Sequence, residues 1–519
     1  MSMRRWLRIT TAIIAGFTLA CLLSALTYGQ FAKRARGEPS HALSRDGGDT
    51  LLDRRVTALS AGHEDQSGLM MLSSNLDAFA ARALSARTAG RSLDLMYYIW
   101  KQDLSGRLLM AEALAAADRG VRVRLLLDDI GAAGDDPILL ALDAHDLIEV
   151  RLFNPTRARP GRLRRGVEMT LRAFSVTRRM HNKAWIADGR VAIIGGRNIG
   201  DEYFDAGEST FFRDLDLLSF GAVVDQTEAM FDDYWNSPAA LPISALSSAG
   251  ADALAALKTD LRSLAESGEA RPYIDRLRQG VSFLETLDSD IHWSTQARLL
   301  ADPPEKVFRR EGDNWLMQEL TPLLGSARQR LEITSPYFVP GRQGTQDLVA
   351  LAQRGVSVVV LTNSLAATDV AAVHGGYMPY RPALLRGGVE LFELRSFTQD
   401  IDYSLRGSSK ASLHTKAFTV DDRLGFIGSL NFDPRSASLN TEMGILFETP
   451  ALITQMRELF AVETAPEASY RVTLNDQQQL RWTARTDGEW VIHDREPGAA
   501  LFKRIIAGIV RWLPLESQL

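Results

Sequence analysis

Apolar and polar positions along this chain follow two alternating periods, and the same order of periods is run through twice. RSLDLMYYIW at 91–100 is apolar and rich in β-favouring residues, and SGRLLMAEALAAADRG at 105–120 then spaces its apolar residues three and four apart before stopping at Gly120. That is the pattern of a strand followed by a helix closed by a glycine. VRVRLLLDD (121–129) and IEVRLFN (148–154) predict two more strands. The order returns in RLEITSPYFV (330–339), QDLVALAQRG (346–355), VSVVVLTNS (356–364) and VELFELR (389–395). Alternating β and α segments predict an α/β fold, each copy a mainly parallel or mixed sheet flanked by helices. Gly120 and Gly355 lie 235 positions apart, so two copies of one unit are expected about a pseudo-twofold axis, with a site between them. The expected division is 1–40 as an apolar terminal segment, 41–236 as the first domain, 237–290 as a helical connector, 291–470 as the second domain and 471–519 as a C-terminal extension.

Both ends carry apolar segments of a different kind. After Arg4, Arg5 and Arg8 no charge occurs until Lys33, a run longer than the roughly 20 residues that span a bilayer. A retained anchor and a cleaved secretory signal with its cleavage site at Thr27–Gly29 both fit; the length favours the anchor, since a signal's apolar core is about 7–15 residues. Lys33, Arg34 and Arg36 balance the leading arginines, so orientation is weakly set. The body is expected outside the cytoplasm, on a bacterial inner membrane. At the other end, Lys503, Arg504 and Arg511 are set among Leu501, Phe502, Ile505, Ile506, Ile509, Val510, Trp512 and Leu513. An interfacial amphipathic helix and a helix packed on the core both account for that spacing.

With 519 residues, 45% of them hydrophobic, the chain can bury a large two-domain core. A net charge of −5 argues against wholesale nucleic-acid binding, so any anion site is local. Cys21 is the only cysteine, which excludes a disulfide framework or a thiolate metal cluster within one chain.

The candidate chemistry lies in HNKAWIADGRVAIIGGRNIG (181–200) and HTKAFTVDDRLGFIGSLN (414–431), where His, Lys and Asp recur at offsets 0, 2 and 7. In a strand His181, Lys183 and Trp185 share one face, and Asp188 and Asp421 begin the turns of two hairpins whose return strands bring Asn198 and Asn431 back to the same end. One such match is weak; two at corresponding places in a repeat are not coincidence. Two His, two Lys and two Asn suit a phosphodiester. The ammonium and amide groups hold phosphoryl oxygens and stabilise developing charge, while one imidazole attacks phosphorus and the other protonates the leaving alcohol. The lysines already supply positive charge and no carboxylate cluster suits Mg²⁺, so neither metal nor cofactor is expected. A nucleophilic imidazole also needs an acceptor to fix its other nitrogen. Asp214 and Glu442, on later strands of the two copies, are the candidates, with Asp216 competing for the first place and a strand-end salt bridge as the alternative role.

These motifs resemble the phospholipase D superfamily, whose signature H-x-K-x4-D followed by G-[SG]-x-N is present twice. The resemblance runs from about residue 75 to the C-terminus. MYYIWKQDLSGRLL, RGVRVRLLLDD, SPYFVP, LTNSLAATDVAAVHGGY and GSLNFDPRSASLNTEMG narrow it to the bacterial cardiolipin synthases, nearest their C-type branch. It implies His181 as nucleophile and His414 as general acid and base. It further implies Lys183, Lys416, Asn198, Ser429 and Asn431 on the phosphate, Asp214 and Glu442 orienting the imidazoles, and Asp188 and Asp421 as motif members whose role is better structural than chemical. Gly196 stands where the second copy has Ser429, so the phosphate contacts are expected to be asymmetric.

Outside the motifs, residues 156–180 hold eight Arg against the single acid Glu168, a phosphate-binding segment or a solvated loop. Asn363, Ser364, Asp369, His374 and Tyr377 are possible head-group contacts or buried caps. With the terminal segments, these features favour membrane phospholipids and the membrane surface as partners over nucleic acid; an accessory protein is neither implied nor excluded. The expected reaction is phosphatidyl transfer from phosphatidylglycerol to a second phospholipid, phosphatidylglycerol or, by the C-type resemblance, phosphatidylethanolamine, through a phosphatidyl-histidine. Hydrolysis to phosphatidic acid is the first rival; a nucleic-acid phosphodiesterase and a non-catalytic scaffold are the others.

Overall fold

The computed structural model describes residues 3–45, 49–159, 161–206, 211–248, 250–278, 290–309, 312, 314–396, 411–513 and 518. Its first half contributes β1 (Ser67–Leu72), β2 (Ser92–Tyr97), β3 (Arg122–Asp128), β4 (Ile148–Phe153), β5 (Ala184–Ala187), β6 (Val191–Gly195), β7 (Phe211–Arg213), β8 (Asp216–Phe220), β9 (Ala240–Pro242) and β10 (His292–Ser294). The second half contributes β11 (Arg298–Ala301), β12 (Arg330–Thr334), β13 (Ser357–Asn363), β14 (Glu390–Leu394), β15 (Ala411–Leu413), β16 (Ala417–Val420), β17 (Leu424–Gly428), β18 (Met443–Phe447), β19 (Ser469–Leu474), β20 (Leu480–Thr486) and β21 (Glu489–His493). The two large sheets share one order: β1-β8-β6-β5-β2-β3-β4-β9 in the first matches β11-β18-β17-β16-β12-β13-β14-β19 in the second.

Each sheet is mixed. Within the two large sheets parallel pairing is confined to β2-β3-β4 and β12-β13-β14, where crossover helices such as Leu104–Asp118 and Gly341–Gln353 join successive strands. The motif strands β5 and β16 pair antiparallel with both neighbours because each is half of a tight hairpin.

Period-two alternation splits the core into layers. Trp185 and Ile193 face a core made by the first half alone. Ala184, Ile186, Ile194 and Leu217 instead join Ala417, Ile427, Met443 and Ile445 of the second half in a shared core. The sheets therefore pack face to face, and β7 pairs with β15 across the join.

Three expected boundaries move. β9 falls inside the segment assigned to a connector, and β10, assigned to the second domain, pairs with β1 in the first sheet. The connector's helix Ala253–Ala265 is no bare linker, because Leu257 and Leu261 are buried in the first half's core; residues 279–289 of that segment lie outside the described residues. β19 to β21 extend the second sheet, so that domain runs past residue 470. The N-terminal helix Met3–Arg34 has no buried residue and a mean hydropathy of 2.1 over its most apolar window. Among the described residues it alone is long and apolar enough to cross a membrane.

Candidate active site

His181 and His414 stand in extended chain just ahead of β5 and β16, not within those strands. Each lead-in bonds to the opposite half: His181 N–H donates to Thr441 O (2.9 Å), and His414 N–H to Arg213 O (2.8 Å). The preceding residues are clamped by side chains at the ends of β3 and β13. Asp128 accepts from Met180 N–H and from Arg179, whereas Asn363 donates to Leu413 O and accepts from Leu413 N–H, both at 2.9 Å. Asn363 is thus a backbone clamp, not a head-group contact. Both clamps sit in the LLLDD and VLTNS stretches, whose equivalence in the repeat was the available signal.

The imidazoles are oriented across the repeat. His181 Nδ1 lies 2.8 Å from Glu442 Oε2, and His414 Nδ1 lies 2.5 Å from Asp214 Oδ2. Each ring belongs to one half and its carboxylate to the other. Asp216 does not compete, because Arg82 and Arg197 take its carboxylate in the first half's interior. With Nδ1–H donated to an acid, the lone pair of each ring is directed through Nε2, which has no protein partner among the described residues. Tyr98 meets His181 edge-on, and Tyr203 and Phe212 wall His414, at ring separations of 4.9–5.2 Å. These three aromatic positions were not legible from spacing.

Lys183 and Lys416 are buried, each donating to the carbonyl of its own motif histidine. Burial pushes Lys183 down to about 7 and the His181 imidazole down to about 4, despite the pull of Glu442. Burial and the adjacent Lys416 ammonium hold His414 well below the usual histidine range. Burial alone would raise Glu442, but His181, Lys183 and the Ser429 hydroxyl keep it below the ordinary carboxylate value. Burial raises Asp214. The site is therefore nearly symmetric in geometry but not in proton affinity.

Ser429 explains part of that difference. Its hydroxyl donates to Glu442 Oε2 (2.5 Å) and accepts from Met443 N–H (3.0 Å). At the matching Gly196 a Cβ would come within 2.1 Å of Asp214 Oδ1, so the Asp214 carboxylate occupies the space a serine would need. Gly196→Ser is expected to lower turnover by about 100-fold by displacing Asp214. Ser429→Gly, which removes one hydrogen bond, is expected to cost about 10-fold. Steady-state rates of the two variants, with folding checked by circular dichroism, test the asymmetry.

The asparagines diverge likewise. Asn198 is engaged, accepting from Ile99 N–H (3.2 Å) and donating to Tyr203 Oη (2.9 Å), whereas the Oδ1 of Asn431 is buried without a partner among the described residues.

Asp188 and Asp421 stand at the far ends of β5 and β16. Both adopt positive φ, 53° and 54°, which Asp tolerates better than most residues. Asp188 accepts backbone N–H bonds from Gly90, Arg91 and Ser92, and Asp421 from Arg328, Gln329 and Arg330. They fix the starts of β2 and β12. Asp188→Ala is expected to cost about 2–4 kcal/mol by stranding three donors, and Asp421→Ala less, because its donors lie nearer solvent. Denaturant unfolding measures both, and the rate per folded molecule should change less than about tenfold.

Half of the Arg-rich segment's arginines are paired with acids, while Arg164 stays exposed. Arg159 pairs with Asp129 and Asp136, Arg165 with Asp129, Arg172 with Glu168 and Arg179 with Asp128. Arg178 donates to Lys306 O. The helix Arg162–Leu171 then lies beside the N-terminal helix, with the Arg172 guanidinium over Tyr28 and that of Arg157 over Phe31. Of the 363–377 group, Ser364 caps Ala367, Tyr377 is buried, and Asp369 is exposed and accepts from Tyr337 Oη. His374, Glu393 and Glu496 are close enough together to share a cation, but the Arg381 guanidinium already fills that place, bonded to both glutamates.

A family model for the cardiolipin synthase phospholipase D-like domain matches residues 85–235 and 320–463, one stretch in each half. Cardiolipin synthase C of Escherichia coli strain K12 is 40% identical over 468 residues, covering 89% of this chain and 98% of that protein. The chain belongs to the cardiolipin synthase family of the phospholipase D superfamily. An uncharacterized protein of Helicobacter pylori is 33% identical over 460 residues, covering 86% of this chain and 89% of its own length. The crystal structure of phosphatidylserine synthase from Haemophilus influenzae Rd KW20 superposes with a TM-score of 0.54 at 14% identity, over 80% of this chain and 91% of that one, which shows the shared fold. This cardiolipin synthase family member is a phospholipase D-type phosphatidyltransferase acting on phospholipids. Its two family-matched stretches each carry one histidine and the carboxylate that orients the other.

Proposed function

We propose that the enzyme makes cardiolipin from phosphatidylglycerol and a second phospholipid, phosphatidylglycerol or phosphatidylethanolamine, through a phosphatidyl-histidine on His181. The observation that carries this reading is the pair of crossed, carboxylate-oriented imidazoles with open Nε2 atoms beside two buried lysines. The superfamily resemblance supports His181 as the nucleophile, and its ring, held below the usual histidine range by burial and oriented by Glu442, is neutral as attack requires. The same resemblance supports His414, the ring facing His181 from the other half and held by Asp214, as acid and base. As the anionic phosphodiester enters, His414 takes up a proton at Nε2 from solvent; His181 Nε2 attacks phosphorus, the bond from phosphorus to the head-group oxygen breaks, and His414 gives that proton to the departing alcohol. The acceptor lipid's hydroxyl then returns a proton to His414 as its oxygen attacks phosphorus and the bond to His181 breaks. Lys183, Lys416 and Asn431 hold the phosphoryl oxygens.

The N-terminal helix anchors the enzyme to the bacterial inner membrane in this reading, with the body on its outer side. Resemblance to cardiolipin synthase C supports cardiolipin as the product and, with the N-terminal helix, the inner membrane as the location. Purified full-length enzyme in mixed micelles with labelled phosphatidylglycerol, with and without phosphatidylethanolamine, is expected to form cardiolipin, and the His181→Ala variant none. Phosphatidic acid as the sole product would replace transfer by hydrolysis. No lipid product at all would sink the reading.

A further inference from the structure

The C-terminal helix Leu501–Val510 is docked by one narrow face and leaves its bulky apolar face uncovered. Ala507 is fully buried against Gly375 of the helix Ala371–Tyr377, where a Cβ on Gly375 would come within 2.7 Å of Ala507 O. Lys503 Nζ donates to Ala366 O (2.8 Å) and Thr368 O (2.6 Å), and Arg504 donates to Glu496 O (2.8 Å). This is a tethered helix, not a loose tail.

On its other side Leu501, Phe502, Ile505, Ile509 and Trp512 are all at least half exposed. At 3.6 residues per turn they fall within about a third of the helix circumference, opposite Ala507. Arg504 and Arg511 border that sector on one side, and the Arg511 guanidinium lies over Trp512. Apolar side chains bordered by cations and closed by a Trp match the face a helix turns to anionic lipid, with the apolar groups among acyl chains and the cations at phosphates. A protein partner would not require the cationic border, and the same chain already carries a helix of bilayer-crossing length.

The place of this helix gives the face a use. Lys503 grips the segment that starts at Asn363, the clamp on Leu413 beside His414, and ends at Asp369, whose charge reaches His414 and Lys416. We propose that the C-terminal helix lies in the surface of an anionic lipid bilayer and holds the 364–369 segment, and with it the His414 side of the active site, against the lipid head groups. This rests on the reading of the substrates as membrane phospholipids.

Cys21 is the only cysteine, so a Cys21→Ser background accepts one new cysteine for an environment-sensitive fluorophore. Full-length protein labelled at Phe502→Cys, Ile505→Cys, Ile509→Cys, Arg504→Cys or Arg511→Cys would be reconstituted in vesicles of phosphatidylglycerol and phosphatidylcholine containing a bromolipid quencher. Labels at 502, 505 and 509 are expected to be quenched about threefold or more over those at 504 and 511, in helical periodicity. Equal quenching at all five positions, or none, overturns the proposal, as does ready disulfide formation between 509 positions of two copies, which would assign the face to a second chain. Quenching needs no turnover. The helical pattern together with an absence of cardiolipin would sink the reaction and leave this surface standing.

Discussion

The His181→Ala variant is expected to lose phosphatidyl transfer by about 10⁴-fold or more, and to do so before any covalent step. The His414→Ala variant is expected to lose as much in steady state but at a different point. A donor whose leaving alcohol is acidic, such as a phosphatidyl p-nitrophenol ester, departs without protonation. With that donor His414→Ala should release one equivalent of nitrophenolate in a burst and then stall, its phosphatidyl group retained on His181 because no base activates the acceptor. The His181→Ala variant should show no burst. Rapid-mixing absorbance with intact-protein mass reads both events. A burst that survives in His181→Ala and vanishes in His414→Ala would exchange the two roles.

Glu442→Gln and Asp214→Asn follow the same division crosswise, and each is expected to cost about 10³–10⁴-fold, the scale on which an amide replaces a histidine-orienting carboxylate elsewhere. The amide keeps the size of the side chain but not its charge, so it neither fixes the tautomer nor steadies an imidazolium. Glu442, 2.8 Å from His181 Nδ1 although 261 positions away, should govern the rate of the burst. Asp214, 200 positions before His414, should leave the burst intact and slow its resolution. Adding Glu442→Gln to His181→Ala should change little, because partners acting as one unit are not additive. Were each carboxylate to serve the histidine of its own half, the two phenotypes would change places, and that outcome would refute the crossed geometry.

Much of this arrangement was legible in the sequence. The alternating periods and the doubled motif foretold two copies of one α/β unit, the hairpins at Asp188 and Asp421 and the residue types at the centre. What was not legible depended on how the halves meet. Asp214 and Glu442 were identifiable as acceptors, but their crossed assignment comes from the shared core of β5, β6, β16 and β18, which no local pattern encodes. The arginines of 156–180 looked available because their partners Asp128, Asp129 and Asp136 belong to an earlier stretch of chain. Asn198 and Asn431, identical in the motif, differ in their partners: Ile99 N–H donates to Asn198 Oδ1 and Tyr203 Oη accepts from its amide, whereas Asn431 Oδ1 has no partner among the described residues.

The crossing of carboxylates between halves also bears on the order in which the protein is made. A chain emerging from the ribosome exposes His181 and Lys183 long before Glu442 exists. Until the second half has folded onto the first, the His181 ring lacks the Glu442 carboxylate that lies on its Nδ1, and His414 is missing altogether. On the proposed mechanism, a nascent or truncated chain held at a membrane is expected to be chemically silent toward the lipids around it until the fold is complete.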